Sequence, residues 1–184
     1  MRARSLLALV SVLAVLSVGG CTASDLDKPV PTVAGPPFLC DGVPLTGLQR
    51  MTGIRDLVVD KSTQSPWGRG FLCEVDDADG FVATISRRDT EGLGFGTPEE
   101  QVAELRANSR AVPIVADARG SGFVIADDSQ PLARWICDDG VRTDVSLLKR
   151  PDSKDLEEDL AHYMISILPW VCGDQSAPKR TVGK

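Results

Sequence analysis

Apolar residues follow three regimes along the chain. Residues 6–18 are continuously apolar apart from Ser11 and Ser17. Between residues 54 and 148 apolar and polar positions mostly alternate, the period of a half-buried strand. Over 97–109 and 153–168 apolar residues return every three or four positions, the period of an amphipathic helix. The alternation predicts strands at 54–61, 70–76 and 81–87 before the first helix. It predicts strands at 122–127, 133–138 and 141–148 before the second. A further short strand is expected at 111–116, and a short helix over 43–53, stopped by Gly53 and weakened by Gly47.

The two sets of elements correspond piece by piece. Phe71-Leu72-Cys73 answers Trp135-Ile136-Cys137, and Asp79-Gly80 answers Asp139-Gly140. An Asp-Gly pair between alternating segments is a strong hairpin signal. Glu99-Glu100 answers Glu157-Glu158, while Val102 and Leu105 answer Leu160 and Tyr163 on the buried stripe. Thr97-Pro98-Glu99-Glu100 reads as a capping box with proline at the first helical position. Pro169 is expected to end the last helix and Trp170-Val171-Cys172 to return to the core. The expected fold is therefore α+β: an antiparallel sheet built from two strand-strand-strand-helix repeats, with a short N-terminal helix and the helices on one face.

The chain ahead of these elements has a different logic. Arg2 and Arg4 precede the apolar stretch, which is too short for a comfortable membrane span of about 20 residues. Small residues then lead to Cys21 in Val18-Gly19-Gly20-Cys21. A basic start, an apolar middle and a small-residue end read as a secretory signal. The last four residues resemble the lipobox of bacterial lipoproteins. The resemblance implies cleavage between Gly20 and Cys21, a diacylglycerol on the Cys21 sulfur and acylation of the new amino group. Two acyl chains suffice for stable anchoring where one is marginal. The organisation expected is a signal peptide at 1–20, a lipid-anchored flexible tether at 21–37, a single disulfide-stapled domain at 38–174 and a disordered tail at 175–184. The tether reading rests on Pro29, Pro31, Gly35, Pro36 and Pro37.

Cysteine count and charge narrow the function. With Cys21 set aside, Cys40, Cys73, Cys137 and Cys172 remain, an even set that reads as two disulfides in an exported chain. Each follows an aromatic and an aliphatic residue, so rings are expected to pack on the bridges. Four cysteines allow three pairings. Cys40–Cys73 with Cys137–Cys172 is favoured, one bridge per half, against Cys40–Cys172 with Cys73–Cys137. Zinc binding lacks a close Cys pair, and His162 is the single histidine. Loss of Arg2 and Arg4 leaves 18 basic against 26 acidic residues, a formal charge of −8. Such a domain is a poor ligand for nucleic acid, where affinity comes from cations on phosphates.

Candidate chemistry is sparse. Asp76, Asp77 and Asp79 before Gly80 suggest calcium, but Val75 and Ser86 stand where ligands are required. A solvated hairpin turn accounts for them, as it does for Asp138-Asp139 and Asp127-Asp128. Gly92-Leu93-Gly94-Phe95-Gly96 precedes a helix as phosphate loops do, yet Glu99 and Glu100 would repel an anion. Gly120-Ser121-Gly122 lacks the pattern of a nucleophile elbow. His162, four residues after Glu158, is placed for an exposed ion pair. Trp67 and Phe95 are the candidate partner contacts, with core packing the competing account of Trp67. No metal or cofactor is called for.

The lipobox, the proline-rich tether and the placement of Cys40 and Cys73 together resemble actinobacterial lipoproteins of unassigned function. The lipobox part covers the first 21 residues; the remainder is a likeness of layout, which transfers no catalytic residues. The function expected is a non-catalytic binding module on the outer face of the cell membrane. Its partners would be another envelope protein, a small ligand or cell-wall material. The alternative is a cell-wall-active enzyme using paired carboxylates.

Overall fold

The structure is a computed structural model that describes residues 25–63, 67, 70–89, 97–108, 111–127, 130–149 and 153–182. Residues 1–24, Cys21 among them, and Phe95 lie outside the described residues. The alternating segments form β1 (Val58–Ser62), β2 (Leu72–Asp77), β3 (Gly80–Asp89), β4 (Val112–Ile114), β5 (Ser121–Ile125), β6 (Leu132–Ile136) and β7 (Val141–Leu147). All seven join one antiparallel sheet in the order β1-β2-β3-β7-β6-β5-β4. The two edges are short strands, and β4 carries Pro113, which is tolerated at an edge because it donates no ladder hydrogen bond.

Three α-helices accompany the sheet: α1 (Leu45–Thr52), α2 (Pro98–Asn108) and α3 (Leu156–Val171). The capping box at α2 is made in both directions. The Thr97 amide donates to Glu100 Oε2 at 2.8 Å, and the Glu100 amide to Thr97 Oγ1 at 3.2 Å. Gly53 ends α1 in the left-handed conformation, φ 70°. Gly47, which weakens α1 as an isolated helix, has a packing reason. A Cβ there would stand 2.5 Å from the Tyr163 ring of α3.

The main core lies between α3 and one face of the sheet. Leu160, Tyr163, Met164, Ile167 and Val171 are buried there with Val124, Ala133, Trp135, Val145 and Leu147. Helix α2 does not share that face, and here the expectation of helices on one side fails. It lies along β5 with Glu99 Oε1 3.4 Å from Ser121 Oγ, on the Phe123 side of the strand. Val102, Phe123 and Ile136 are buried but stand outside the main core cluster. Helix α2 is shorter than α3 and packs chiefly along β5.

Both disulfides take the favoured pairing. Cys40–Cys73 closes a sequence separation of 33 and Cys137–Cys172 one of 35. Closing loops of this length stabilises a fold by roughly 3–4 kcal/mol each on loop-entropy grounds. The rings before the cysteines do not share one geometry, however. Trp135 is in a strand, whereas Trp170 is in the last turn of α3 and Cys172 is its C-cap. Pro169 thus sits inside the helix rather than ending it. Its missing amide falls in the final turn, and Arg87 Nε donates to the Val171 carbonyl at 3.0 Å, where a cation also suits the helix dipole.

Two segments expected to be loose are held. In the tether, Val30 is buried, its amide donating to Asp159 Oδ1 at 2.9 Å, and Arg50 donates to the Pro29 carbonyl at 2.7 Å. At the other end, residues 178–182 lie along the loop that leads into α1. The Phe38 amide donates to Thr181 Oγ1 at 2.8 Å, and the amides of Thr181 and Val182 donate to the Phe38 carbonyl at 3.0 and 3.1 Å. The Gly42 amide donates to the Pro178 carbonyl, and Asp41 accepts from the Arg180 amide and from Lys179. Composition marks the first as a tether and the second as a tail, but their backbone groups find partners on the folded domain.

Candidate functional site

Alternation sorts β3, β6 and β7 into two faces. Ala133, Trp135, Val145 and Leu147 turn toward α3, so Arg134, Arg142, Asp144, Ser86 and Arg88 turn the other way. The ladder then aligns them in rows. Arg134 pairs with Asp144, and Asp144 with Ser86; Ile136 pairs with Arg142, and Arg142 with Arg88.

Asp144 is the hub of this group. Arg134 grips it with both arms, Nε to Oδ1 at 2.6 Å and Nη2 to Oδ2 at 3.1 Å. Arg142 Nη2 approaches Oδ2 at 3.0 Å. The Arg134 guanidinium also lies 5.7 Å from the centre of the Phe123 ring, a cation–π distance. Burial depresses the Arg142 pKa, Asp144 opposes the shift, and Arg134 and Arg88 add to it by repulsion. Its Nε is buried with no hydrogen-bond partner.

Acids and apolar residues gather at the β1–β2 end of the sheet. Val58, Asp76 and Phe81 are directly opposite one another across β1, β2 and β3. Val58 is 57% and Phe81 52% exposed, and Leu148, whose amide is bonded to the neighbouring Val82 carbonyl, is exposed too. Asp76 Oδ1 is buried without a hydrogen-bond partner. Burial raises the Asp76 pKa, and Asp60, Glu74 and Asp77 push it further, against Lys149. Lys149 forms an ion pair with Asp77 and lowers the pKa of that carboxyl through the hydrogen bond.

A cleft of about 340 Å³ opens elsewhere, between the N-terminal segment, α1 and the start of α3. Asp27, Asp155, Glu158 and Asp159 line it together with Lys28, Arg50 and Lys154. Asp159 is occupied structurally, by the Val30 amide and by Ser153 Oγ at 2.6 Å. His162 stands nearby with Nε2 3.7 Å from Glu158, as its spacing predicts, and Nδ1 3.1 Å from the Val30 carbonyl. Acids and bases alternate around this cleft, and the chain's own N-terminal segment takes the best-placed carboxylate. Among the described residues, no group of three or more His, Cys, Asp or Glu is placed to hold a metal ion.

Trp67 is not a surface contact. It is 7% exposed, stacks on Phe71 at 4.4 Å and donates Nε1–H to the Asp41 carbonyl at 2.7 Å. Its backbone is held at φ 52°, and its carbonyl accepts from the buried Arg87. Packing around the Cys40–Cys73 end of the core accounts for it. Among the described residues the exposed aromatic is Phe81, which the alternation places in a strand without distinguishing it. The arginine group was equally unmarked. Its only signal is Arg134 between Ala133 and Trp135, and Arg142 and Asp144 flanking Thr143, charges inside strands of the sheet. No family model matches this chain, and neither does any curated protein or solved structure.

Proposed function

We propose that the chain is an exported, lipid-anchored lipoprotein whose folded domain is a non-catalytic binding module at the outer face of the cell membrane. The pair of disulfides, Cys40–Cys73 and Cys137–Cys172, carries the reading. Bridges of this kind persist in oxidising compartments, and they account for every described cysteine, which leaves Cys21 as the one to be acylated. The domain reads as one unit used twice: β1–β3 and β5–β7 are each a meander tied by one bridge to a segment outside it, Cys73 to Cys40 and Cys137 to Cys172, and their last strands, β3 and β7, meet at the middle of the sheet. The binding surface is the sheet face carrying the arginine group and Phe81.

Three measurements test this. Mass spectrometry of the mature protein is expected to show an N-terminal peptide starting at Cys21 with acyl chains attached. Cys21→Ala is expected to move the protein out of the membrane fraction. A mature protein that begins elsewhere, or carries a free thiol at Cys21, refutes the anchor. For the binding role, a photocrosslinker placed at Phe81 in intact cells is expected to capture a discrete partner, and one placed at Val33 is the exposed control.

A further inference from the structure

The arginine group carries more positive charge than its surroundings neutralise. Two guanidiniums, Arg134 and Arg142, share one carboxylate, Asp144, and a third, Arg88, stands opposite Arg142 with none. Arg134 and Asp144 satisfy each other as a fork. The surplus therefore falls on Arg142 and Arg88, which stand directly opposite on β7 and β3. Arg88 is exposed and makes no hydrogen bond or ion pair among the described residues.

Like charges directly opposite in a sheet destabilise it. This chain has 26 acidic against 20 basic residues, yet among the described residues the ion pairs of this group use the single carboxylate of Asp144. Arg142 adds a buried Nε with no acceptor. A ligand with negative charge and several acceptor oxygens would relieve the repulsion and supply that acceptor. Guanidinium forks match phosphate and carboxylate oxygens two at a time. The surplus charge decides between them: a phosphate monoester carries about −1.5 to −2 near neutral pH, close to the two unmatched cations, whereas a carboxylate carries one charge. We infer that Arg88 and Arg142, with Arg134 held in place by Asp144 and Phe123, form a binding site for a phosphate group on the open face of the sheet. The inference depends on the sheet face and not on the lipid anchor, so fractionation and ligand titration fail independently.

The test is a titration of the mature chain in neutral detergent, followed by NMR of the arginine side chains and the backbone amides. Inorganic phosphate is one probe. Glycerophosphoglycerol, the soluble headgroup of an anionic lipid, is the other. At constant ionic strength, phosphate is expected to shift Arg88, Arg142 and the amides of β3 and β7 at that row. Arg88→Gln, an exposed change that leaves the core alone, is expected to weaken binding about tenfold or more. Arg142→Gln is expected to do the same if it folds. Stronger binding of inorganic phosphate assigns the site to a free phosphate or monoester; stronger binding of the diester, which carries one charge as a carboxylate does, overturns the charge match on which the choice of phosphate rests. Shifts no larger than chloride produces, shifts scattered over surface lysines, or an Arg88→Gln variant that binds as well as the parent overturn the inference.

Discussion

Arg134 and Trp135 are neighbours on β6 and belong to opposite worlds. The Trp135 ring is 1% exposed under α3 and donates its indole N–H to the Arg119 carbonyl at 3.0 Å. Arg134 points the other way, toward Asp144 and the arginines. The same step of two residues runs through β3 and β7, so one side of the sheet is apolar and closed under α3 while the other is charged and, at Arg88, Phe81 and Val58, exposed. Energy follows the apolar area: full burial of a large side chain stabilises by about 1.5–3 kcal/mol before any packing effect. The charged side contributes less to stability and can hold arrangements, such as Arg88 against Arg142, that a face selected only for stability would lack.

Three substitutions test that contrast. Trp135→Ala empties the closed side and is expected to cost about 3–5 kcal/mol in denaturant unfolding of the oxidised protein. A loss below about 1 kcal/mol would mean that α3 does not rely on that ring. Asp144→Asn comes next. It leaves Arg134 and Arg142 with a weaker acceptor, for an expected cost of about 1–3 kcal/mol, and the loss should shrink with added salt. If it equals the loss from Trp135→Ala, the open side is as structural as the closed one.

Asp76→Asn is the smallest and has the opposite sign. Because the folded-state pKa of Asp76 is raised, the folded chain holds this proton more firmly than the unfolded chain. Stability therefore falls as pH rises from the ordinary carboxyl value of 3.8 through the raised one. The asparagine variant is expected to be more stable than the parent at neutral pH, and the gap should close below the ordinary value. Parallel unfolding curves across the acid range decide it: a gap that is constant with pH rules out the charge as its cause.

Local pattern carried most of the fold. Each strand and helix arises where the period predicts it, because alternation and the capping box at Thr97 act over a few residues. The glycine of each Asp-Gly pair follows its turn in a left-handed conformation, Gly80 at φ 111° and Gly140 at φ 79°. What failed depends on distant partners. Val30 looks like part of a linker until Asp159, 129 residues away, accepts its amide. Pro169 looks like a helix stop until Arg87 completes the last turn. Trp67 is flanked by turn residues, and only Phe71 and Asp41 draw it inward. The arginine group was illegible for the same reason, since Arg88 and Arg142 meet only once β3 and β7 are paired.

The hydrogen bonds between Phe38 and Thr181 join residues 143 positions apart. A ribosome makes the first of these long before the second. Until Thr181 has been made, the amide of Phe38 lacks its native acceptor and the loop leading into α1 lacks its strap. The Cys40–Cys73 bridge involves no such wait, since both sulfurs emerge early. The first part of the domain to be made thus takes its native strap from the last part to be made.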